Sequence, residues 1–290
     1  MIFNSPTKES NDFYLNQGYV HYRINNTTYK TNIDYCFNYY SDPDLKDQNT
    51  AFKNAEGKAR HFIDVFRDKD SKTLSVYQHK NIKDIVKNHI LKHERFYFTH
   101  SKMSFKQIGS EGGWYPHQDN GYKNQSDIRD GFAMFICLED MDESNGALQV
   151  YPESNNIGTL KHDRLVEDAS SGDNQLYIKD ENIPPNIRPL SIIASKGDII
   201  LFSANTIHKS LSTKSNSKRL SLIAEIEEYK SSKLDDYGKV PIFIIGSLTK
   251  LETIKLKFKR FYNPFTYWFL IKNNKTLSLF IRRFKHKLTS

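Results

Sequence analysis

The sequence predicts a mainly β protein of the sandwich or barrel type, carrying helical and irregular segments on its flank. From Arg95 onward, short segments rich in β-branched and aromatic residues alternate with Gly or Asn clusters: RFYFTHSKMSF, DGFAMFICLED, NGALQVYPES, PLSIIASKGD, IILFSANTIH and RLSLIAEIEEY. No long helical pattern separates them, so they read as antiparallel strands and not as βαβ units. The 19 Phe and 17 Tyr among 290 residues, with 26% charged residues, supply the large burial that a disordered chain lacks. That length accommodates one large β domain or two small ones.

Residues 1–94 form the predicted N-terminal flank, where aromatic clusters and turn-formers such as YCFNYYSDPDLKD suggest short helices and loops on a domain edge. Within it, Ser71 to His93 carries Ile82, Ile85, Val86, His89 and Ile90 at helical spacing, which predicts one amphipathic helix. Residues 95–249 hold the strands and form the predicted core. The polar stretch 154–185 interrupts them, and an insert of that kind in a barrel is expected to be a mouth loop or lid. Residues 250–290 form a basic, aromatic appendage predicted to be helical.

The formal charge of +8 is confined to that appendage. Residues 250–290 contain 11 Lys or Arg against one acid, Glu252, a net +10 that leaves −2 for residues 1–249. The charge therefore says nothing about what the core binds. In the tail, Leu277, Phe280, Ile281, Phe284 and Leu288 recur at helical spacing among basic residues. Residues 265–288 thus suit peripheral contact with an anionic membrane or a helix packed on the barrel or on a second subunit, and the packed helix is favoured. Nucleic-acid binding is not expected, because no recognition motif accompanies the charge. Cys36 and Cys137 lie far apart without C-x-x-C spacing, so neither a disulfide scaffold nor a thiolate zinc site is indicated and a reducing cytoplasm fits. Neither a signal peptide nor an apolar run of spanning length is read.

Chemistry is suggested first by GGWYPHQDNGY, residues 112–122, in which His117 and Asp119 are two apart. On an extended strand such a pair shares one face, at a spacing of roughly 7 Å between Cα atoms. The pair alone is also compatible with a solvated loop. A third group comes from KGDIILFSANTIHKSLSTKSNSKRLSLIAEI, where a Lys196-Gly197-Asp198 turn launches an apolar strand ending at His208. Arg219 opens the next strand, and a hairpin across STKSNSK would bring it back near His208.

Together these pieces resemble the phytanoyl-CoA dioxygenase family of iron(II)- and 2-oxoglutarate-dependent oxygenases. WYPHQD, ESNGALQVYPES, KGDIILFSANTIHKS and RLSL stand in the family's order and spacing over residues 95–227. The resemblance implies a double-stranded β-helix, a cupin-like jelly-roll barrel. It implies iron(II) held by His117, Asp119 and His208 as a facial triad, with three positions left for 2-oxoglutarate and O2. Arg219 matches the cation that grips the far carboxylate of the keto acid, a task suited to a guanidinium. Ser210 matches a hydroxyl that helps hold the keto acid, and Phe135 an aromatic beside it. A further polar contact is expected from SKMSFKQ. Ascorbate is the expected supporting reductant.

Two features of the sequence refine the resemblance. Where the family pattern reads Pro-Gly-Ser-His, the sequence has Pro152-Glu153-Ser154-Asn155. Asp119 is a carboxylate where related halogenases carry a small residue that admits chloride, which argues for hydroxylation or another oxidation. The remaining histidines, His21, His61, His79, His89, His93, His100, His162 and His286, lack comparable partners and read as structural or exposed. The resemblance implies a dioxygenase hydroxylating a C–H bond of a small molecule or biosynthetic intermediate, with release of succinate and CO2. The alternative is a non-catalytic metal- or ligand-binding barrel, either a sensor or an inactive relative. Phytanoyl-CoA is not the expected substrate, since KLTS is not a peroxisomal address. Secondary-metabolite or amino-acid-derived molecules are favoured, or a surface-glycan or lipid intermediate if the tail meets a membrane.

Overall fold

The computed structural model describes residues 1–41, 51–53, 59–63, 71–89, 96–106, 113–122, 131–164, 176–213, 218–228 and 243–245. The basic appendage, including 265–288, lies outside the described residues. Among those described, no helix is long and apolar enough to cross a membrane.

Two antiparallel sheets face each other. The flank supplies α1 (Lys8–Gln17), β1 (Tyr19–Tyr22), α2 (Thr27–Ser41), β2 (Ala51–Lys53), β3 (Ala59–Ile63), α3 (Ser71–Gln78) and α4 (Lys80–His89). Then follow β4 (Phe96–Lys106), β5 (Trp114–His117), β6 (Gly131–Cys137), β7 (Leu148–Val150), β8 (Asp163–Arg164), β9 (Leu176–Tyr177) and β10 (Leu190–Ser191). Last come β11 (Ile199–Ser203), β12 (His208–Ser210), β13 (Arg219–Glu228) and β14 (Phe243–Ile245). The large sheet runs β1-β11-β6-β13-β4-β3-β2 with β14 added on β4, and the small sheet runs β10-β7-β12-β5. The result is the jelly-roll barrel expected from the resemblance.

Side-chain alternation divides the large sheet's two faces. Met134, Ile136, Ile199, Leu201, Leu220, Leu222, Ala224 and Ile226 turn outward, into a core shared with Tyr29, Ile33, Tyr77, Ile82 and Ile85 of the helices. Ala133, Phe135, Cys137, Ile200 and Phe202 turn inward and meet Leu148 and Val150 of the small sheet. A sheet covered on both faces needs apolar residues on both, which is why β6 and β11 read as continuous hydrophobic runs.

Three expectations change. The predicted helix from Ser71 to His93 is two helices that break at His79, with Ile82, Ile85, Val86 and His89 buried on the second and Ile90 outside the described residues. IILFSANTIH is not one strand, because a turn after Ser203 sends the chain from the large sheet into the small one. Consequently β12 and β13 do not form a hairpin: β12 pairs β5 and β7, whereas β13 pairs β4 and β6.

The N-terminal strand enters the large sheet, with Tyr19 opposite Phe202 and Tyr22 opposite Ile199. It is secured at Asp198, which accepts from His21 (2.9 Å) and from Arg23 (2.7 and 3.0 Å). Burial acts to raise the Asp198 pKa, but the bonds from His21, Arg23 and the Ser195 amide outweigh it and bring the value down to about 2. A second polar chain ties α4 to α1 through β1. His89 Nε2 lies 2.6 Å from the Tyr22 hydroxyl, which donates to Ser10, whose hydroxyl donates to the Thr7 carbonyl. The chain closes when Nε2 of a neutral His89 carries the proton.

Burial lowers the His89 pKa to about 4. The unfolded chain therefore binds a proton near pH 6.5 that the folded one refuses until about pH 4, and stability falls as pH drops through that window. Urea midpoints measured from pH 7 to pH 4 are expected to fall more steeply for the wild type than for His89→Leu; parallel curves would contradict a neutral buried His89.

Candidate metal centre

The strand β5 ends at His117, and Asp119 opens a 3-10 turn, Asp119–Tyr122, so the two do not share a strand face as the two-residue spacing suggested. The turn bends the carboxylate back toward His208, the first residue of β12, which is paired directly opposite His117. The His117 and His208 rings have centroids 4.2 Å apart, and His208 Nε2 lies 3.7 Å from the Asp119 carboxylate. One ligand atom from each of the three residues can be chosen so that all lie within 4.8 Å of one another.

Both imidazoles are held in the tautomer a metal needs. His117 Nδ1 donates to the Tyr115 carbonyl at 2.7 Å and His208 Nδ1 to the Thr206 carbonyl at 3.0 Å, leaving each Nε2 as a free lone pair. Burial lowers the pKa of His117 to about 3 and that of His208 to about 4. The Lys102 charge adds to the lowering at both, so neither imidazole carries a proton on Nε2 at neutral pH. Two neutral imidazoles and one carboxylate are a donor set that fits iron(II).

Arg219 is not the surface arginine that a strand start also permits. It opens β13 on the inward face and is 2% exposed. Its Nη1 donates to the Gly146 carbonyl and reaches Met141 Sδ at 3.8 Å, its guanidinium carbon lies 5.4 Å from the Phe135 ring centroid, and its Nε has no partner. Among the described residues it makes no ion pair, and burial lowers its pKa to about 10, which still leaves it charged. Lys106 stands directly opposite it in register, and the buried Ser221 hydroxyl, two residues along the same face, is also unpartnered. A buried cation with an orphaned donor is costly until an anion arrives. Carboxylate oxygens would satisfy both Arg219 Nε and Ser221.

Phe135 and Ser210 also face the space between the sheets. Phe135 lies under Arg219, and the Ser210 hydroxyl, on the same strand as His208, accepts the Trp114 amide at 3.2 Å. The SKMSFKQ segment turns Lys102, Ser104 and Lys106 to the inner face, while Gln107 falls outside the described residues. Lys102 places its ammonium 5.2 Å from the Trp114 ring centroid, at the side of the two histidines. Sequence reasoning could narrow the upstream contact only to this segment, because the length of the loop to His117 does not reveal the register of β4.

One histidine passed over in the sequence lies at the centre. His162, from the insert, accepts the amide of Gln118, the residue between His117 and Asp119, at 3.0 Å. Nothing in its local sequence marks it, since its partner is 44 residues away. The other histidines serve the fold, as His21 and His89 do, or have side chains outside the described residues, as His61, His93, His100 and His286 do.

The departure at 152–155 has a backbone reason. Glu153 is left-handed, with φ 67°, the conformation that suits the glycine of the family pattern. Its amide donates to the Gln17 carbonyl, and the Asn155 side-chain amide donates to the Leu15 carbonyl, so the turn is held by the N-terminal helix. In urea unfolding, Glu153→Gly is expected to be at least as stable as the wild type, and the β-branched Glu153→Val less stable by about 1 kcal/mol. Equal stability of Val and Gly would rule out the strain.

Comparison with known proteins agrees with this geometry. The family profile described as phytanoyl-CoA dioxygenase matches residues 24–221. No match is found among curated proteins. Solved structures share the fold: EctD from S. alaskensis, with 2-oxoglutarate and 5-hydroxyectoine, aligns at TM-score 0.59 and 15% identity over 77% of each chain. SnoK, a non-heme alpha-ketoglutarate-dependent carbocyclase from nogalamycin biosynthesis, aligns at 0.60 and 15% over 80% of this chain and 92% of its own. EvdO2 from Micromonospora carbonacea var. aurantiaca, complexed with 2-oxoglutarate, aligns at 0.59 and 12% over 78% and 93%.

Proposed function

The chain belongs to the phytanoyl-CoA dioxygenase family of iron(II)- and 2-oxoglutarate-dependent oxygenases, and from that premise we propose that it hydroxylates a C–H bond of a small molecule, with His117, Asp119 and His208 as iron ligands. The observation that carries the reading is the pairing of this three-ligand cluster with a buried Arg219 on the opposite sheet that makes no ion pair among the described residues. A barrel that only sensed a metal would have no use for such a cation, which favours the enzyme over the non-catalytic alternative.

The spacing supports the same co-substrate. Phe202 lies against His208 with ring centroids 4.5 Å apart and pairs with Ala133, while Phe135, the next inward residue of β6, lies beneath Arg219. Successive inward rows are roughly 7 Å apart, a span that a five-carbon dicarboxylate bridges. Arg219 and Ser221 would hold the far carboxylate, with Ser210 and Lys102 on the flank nearer the metal. His117, Asp119 and His208 would hold the iron, which when bound would supply the oxidative decarboxylation of 2-oxoglutarate by O2 to succinate and CO2, coupled to substrate oxidation. The residues of the chain keep both imidazoles deprotonated on Nε2, orient the keto acid from the far end and exclude water from the space between the sheets.

Hydroxylation is favoured because Asp119 occupies the ligand position that a halide would need. The fold also hosts other outcomes, since SnoK is a carbocyclase and SnoN an epimerase. The EctD and SnoN structures contain 5-hydroxyectoine and nogalamycin RO, respectively, which supports a small-molecule substrate. Purified protein given iron(II), 2-oxoglutarate, O2 and ascorbate is expected to form succinate, at least slowly without its substrate. Arg219→Met is expected to raise the KM for 2-oxoglutarate by about tenfold or more, the loss of a charge-assisted contact. Absence of succinate together with absence of iron binding would sink the proposal.

A further inference from the structure

Gln118, the residue between the two ligands of the His-x-Asp pair, is fully buried, and each polar atom of its side chain is in use. Its Nε2 donates to the Gly158 carbonyl at 2.8 Å and to the Asn205 carbonyl at 2.6 Å, and its Oε1 accepts the Leu160 amide at 2.8 Å. Its own backbone amide donates to His162 Nε2 at 3.0 Å. His162 is oriented for this by Nδ1, which donates to the Leu160 carbonyl at 2.9 Å. The residues after Gln118 join the same assembly. The Asn120 side chain donates to Asn205 Oδ1 at 2.8 Å, Thr159 donates to that oxygen at 3.1 Å, and the Asn120 amide donates to the Ala204 carbonyl at 3.0 Å. The fit against His162 is tight, since a Cβ on Gly121 would lie 2.3 Å from the imidazole Cε1.

These bonds join three stretches far apart in sequence: the turn bearing His117 and Asp119, the first part of the insert at 158–162, and the 203–206 turn that delivers His208. We infer that Gln118 is a positioning residue that sets the separation of the metal ligands by clamping both ligand-bearing segments to the insert, with His162 as the second point of the clamp. Without it, His117 and Asp119 sit on a short edge strand and a single 3-10 turn, held by the pairing with β12 and by the Ile178 amide, which donates to the Pro116 carbonyl at 2.7 Å. The insert then has a part in the site, because its 158–162 stretch of backbone braces both ligand-bearing segments. The inference rests on the metal reading of His117, Asp119 and His208.

The test is a titration of the metal-free full-length protein with cobalt(II), whose visible ligand-field bands report coordination geometry and whose binding needs no turnover. Gln118→Leu keeps the volume and removes all three side-chain bonds. It is expected to weaken cobalt(II) binding by about ten- to a hundredfold, the usual effect of losing a residue that orients ligands, and to alter the bands. His162→Phe keeps a ring against Gly121 and loses the acceptor; a smaller weakening in the same direction is expected, and this variant decides the matter if Gln118→Leu does not fold. Tyr29→Phe is the control for a general loss of stability, since its hydroxyl donates to the Gly197 carbonyl on the outer side of the large sheet. It is expected to bind cobalt(II) as the wild type does. Wild-type affinity and bands in the Gln118 and His162 variants would overturn the clamp while leaving the metal site standing. Failure of the wild type to bind cobalt(II), or equal binding by His208→Ala, would overturn the metal reading and the clamp with it.

Discussion

A guanidinium buried at 2% exposure, with no carboxylate partner among the described residues, costs several kcal/mol of desolvation that the fold must offset elsewhere. Arg219 is placed there by the alternation of β13, which turns Leu220, Leu222, Ala224 and Ile226 to the helix-covered core and leaves Arg219 and Ser221 facing inward. Those apolar neighbours also hold the charge in position: the sheet cannot slip by one residue to expose Arg219 without turning four core side chains into the barrel. The fold thus keeps a buried cation, without an ion pair among the described residues, pointed between the two sheets. The chemistry proposed for the site follows from what such a cation would accept.

The opposite wall answers with the opposite electrostatics. His117 and His208 face each other across β5 and β12, are buried, and have their Nδ1 protons committed to backbone carbonyls, so they present lone pairs. Asp119 adds the one carboxylate. A metal on this wall and an anion reaching across to Arg219 would complete both halves. The N-terminal flank takes part as well, because the Gly18 carbonyl accepts the Thr206 hydroxyl at 2.6 Å, and Thr206 provides the carbonyl that orients His208.

Much of this was legible in the sequence, and the limits have physical causes. The inner strands announced themselves as β-branched and aromatic runs because both faces of the large sheet are covered. The proposed ligands were legible because WYPHQD and NTIHKS match the family's motifs within a few residues. Sheet membership was not: nothing between His208 and Arg219 distinguishes a hairpin from a change of sheet, which depends on pairing with β5 and β7 far away. β1 was missed because YVHY carries a histidine in a buried strand, and only Asp198, 177 residues on, explains how His21 is satisfied. Gln118 and His162 were passed over for the same reason, since a spacer between ligands and a histidine in a polar insert acquire meaning only when non-local contacts join them.

The central claim, that one dicarboxylate joins the two walls, is tested most directly by anaerobic titration of the iron(II)-loaded protein with keto acids, followed by the visible charge-transfer absorption of a keto acid chelated to iron. The account predicts a saturable band with 2-oxoglutarate and far weaker binding of 2-oxobutyrate, which has the same chelating end but no second carboxylate. Equal affinity for the two keto acids, or no band with either, would contradict it.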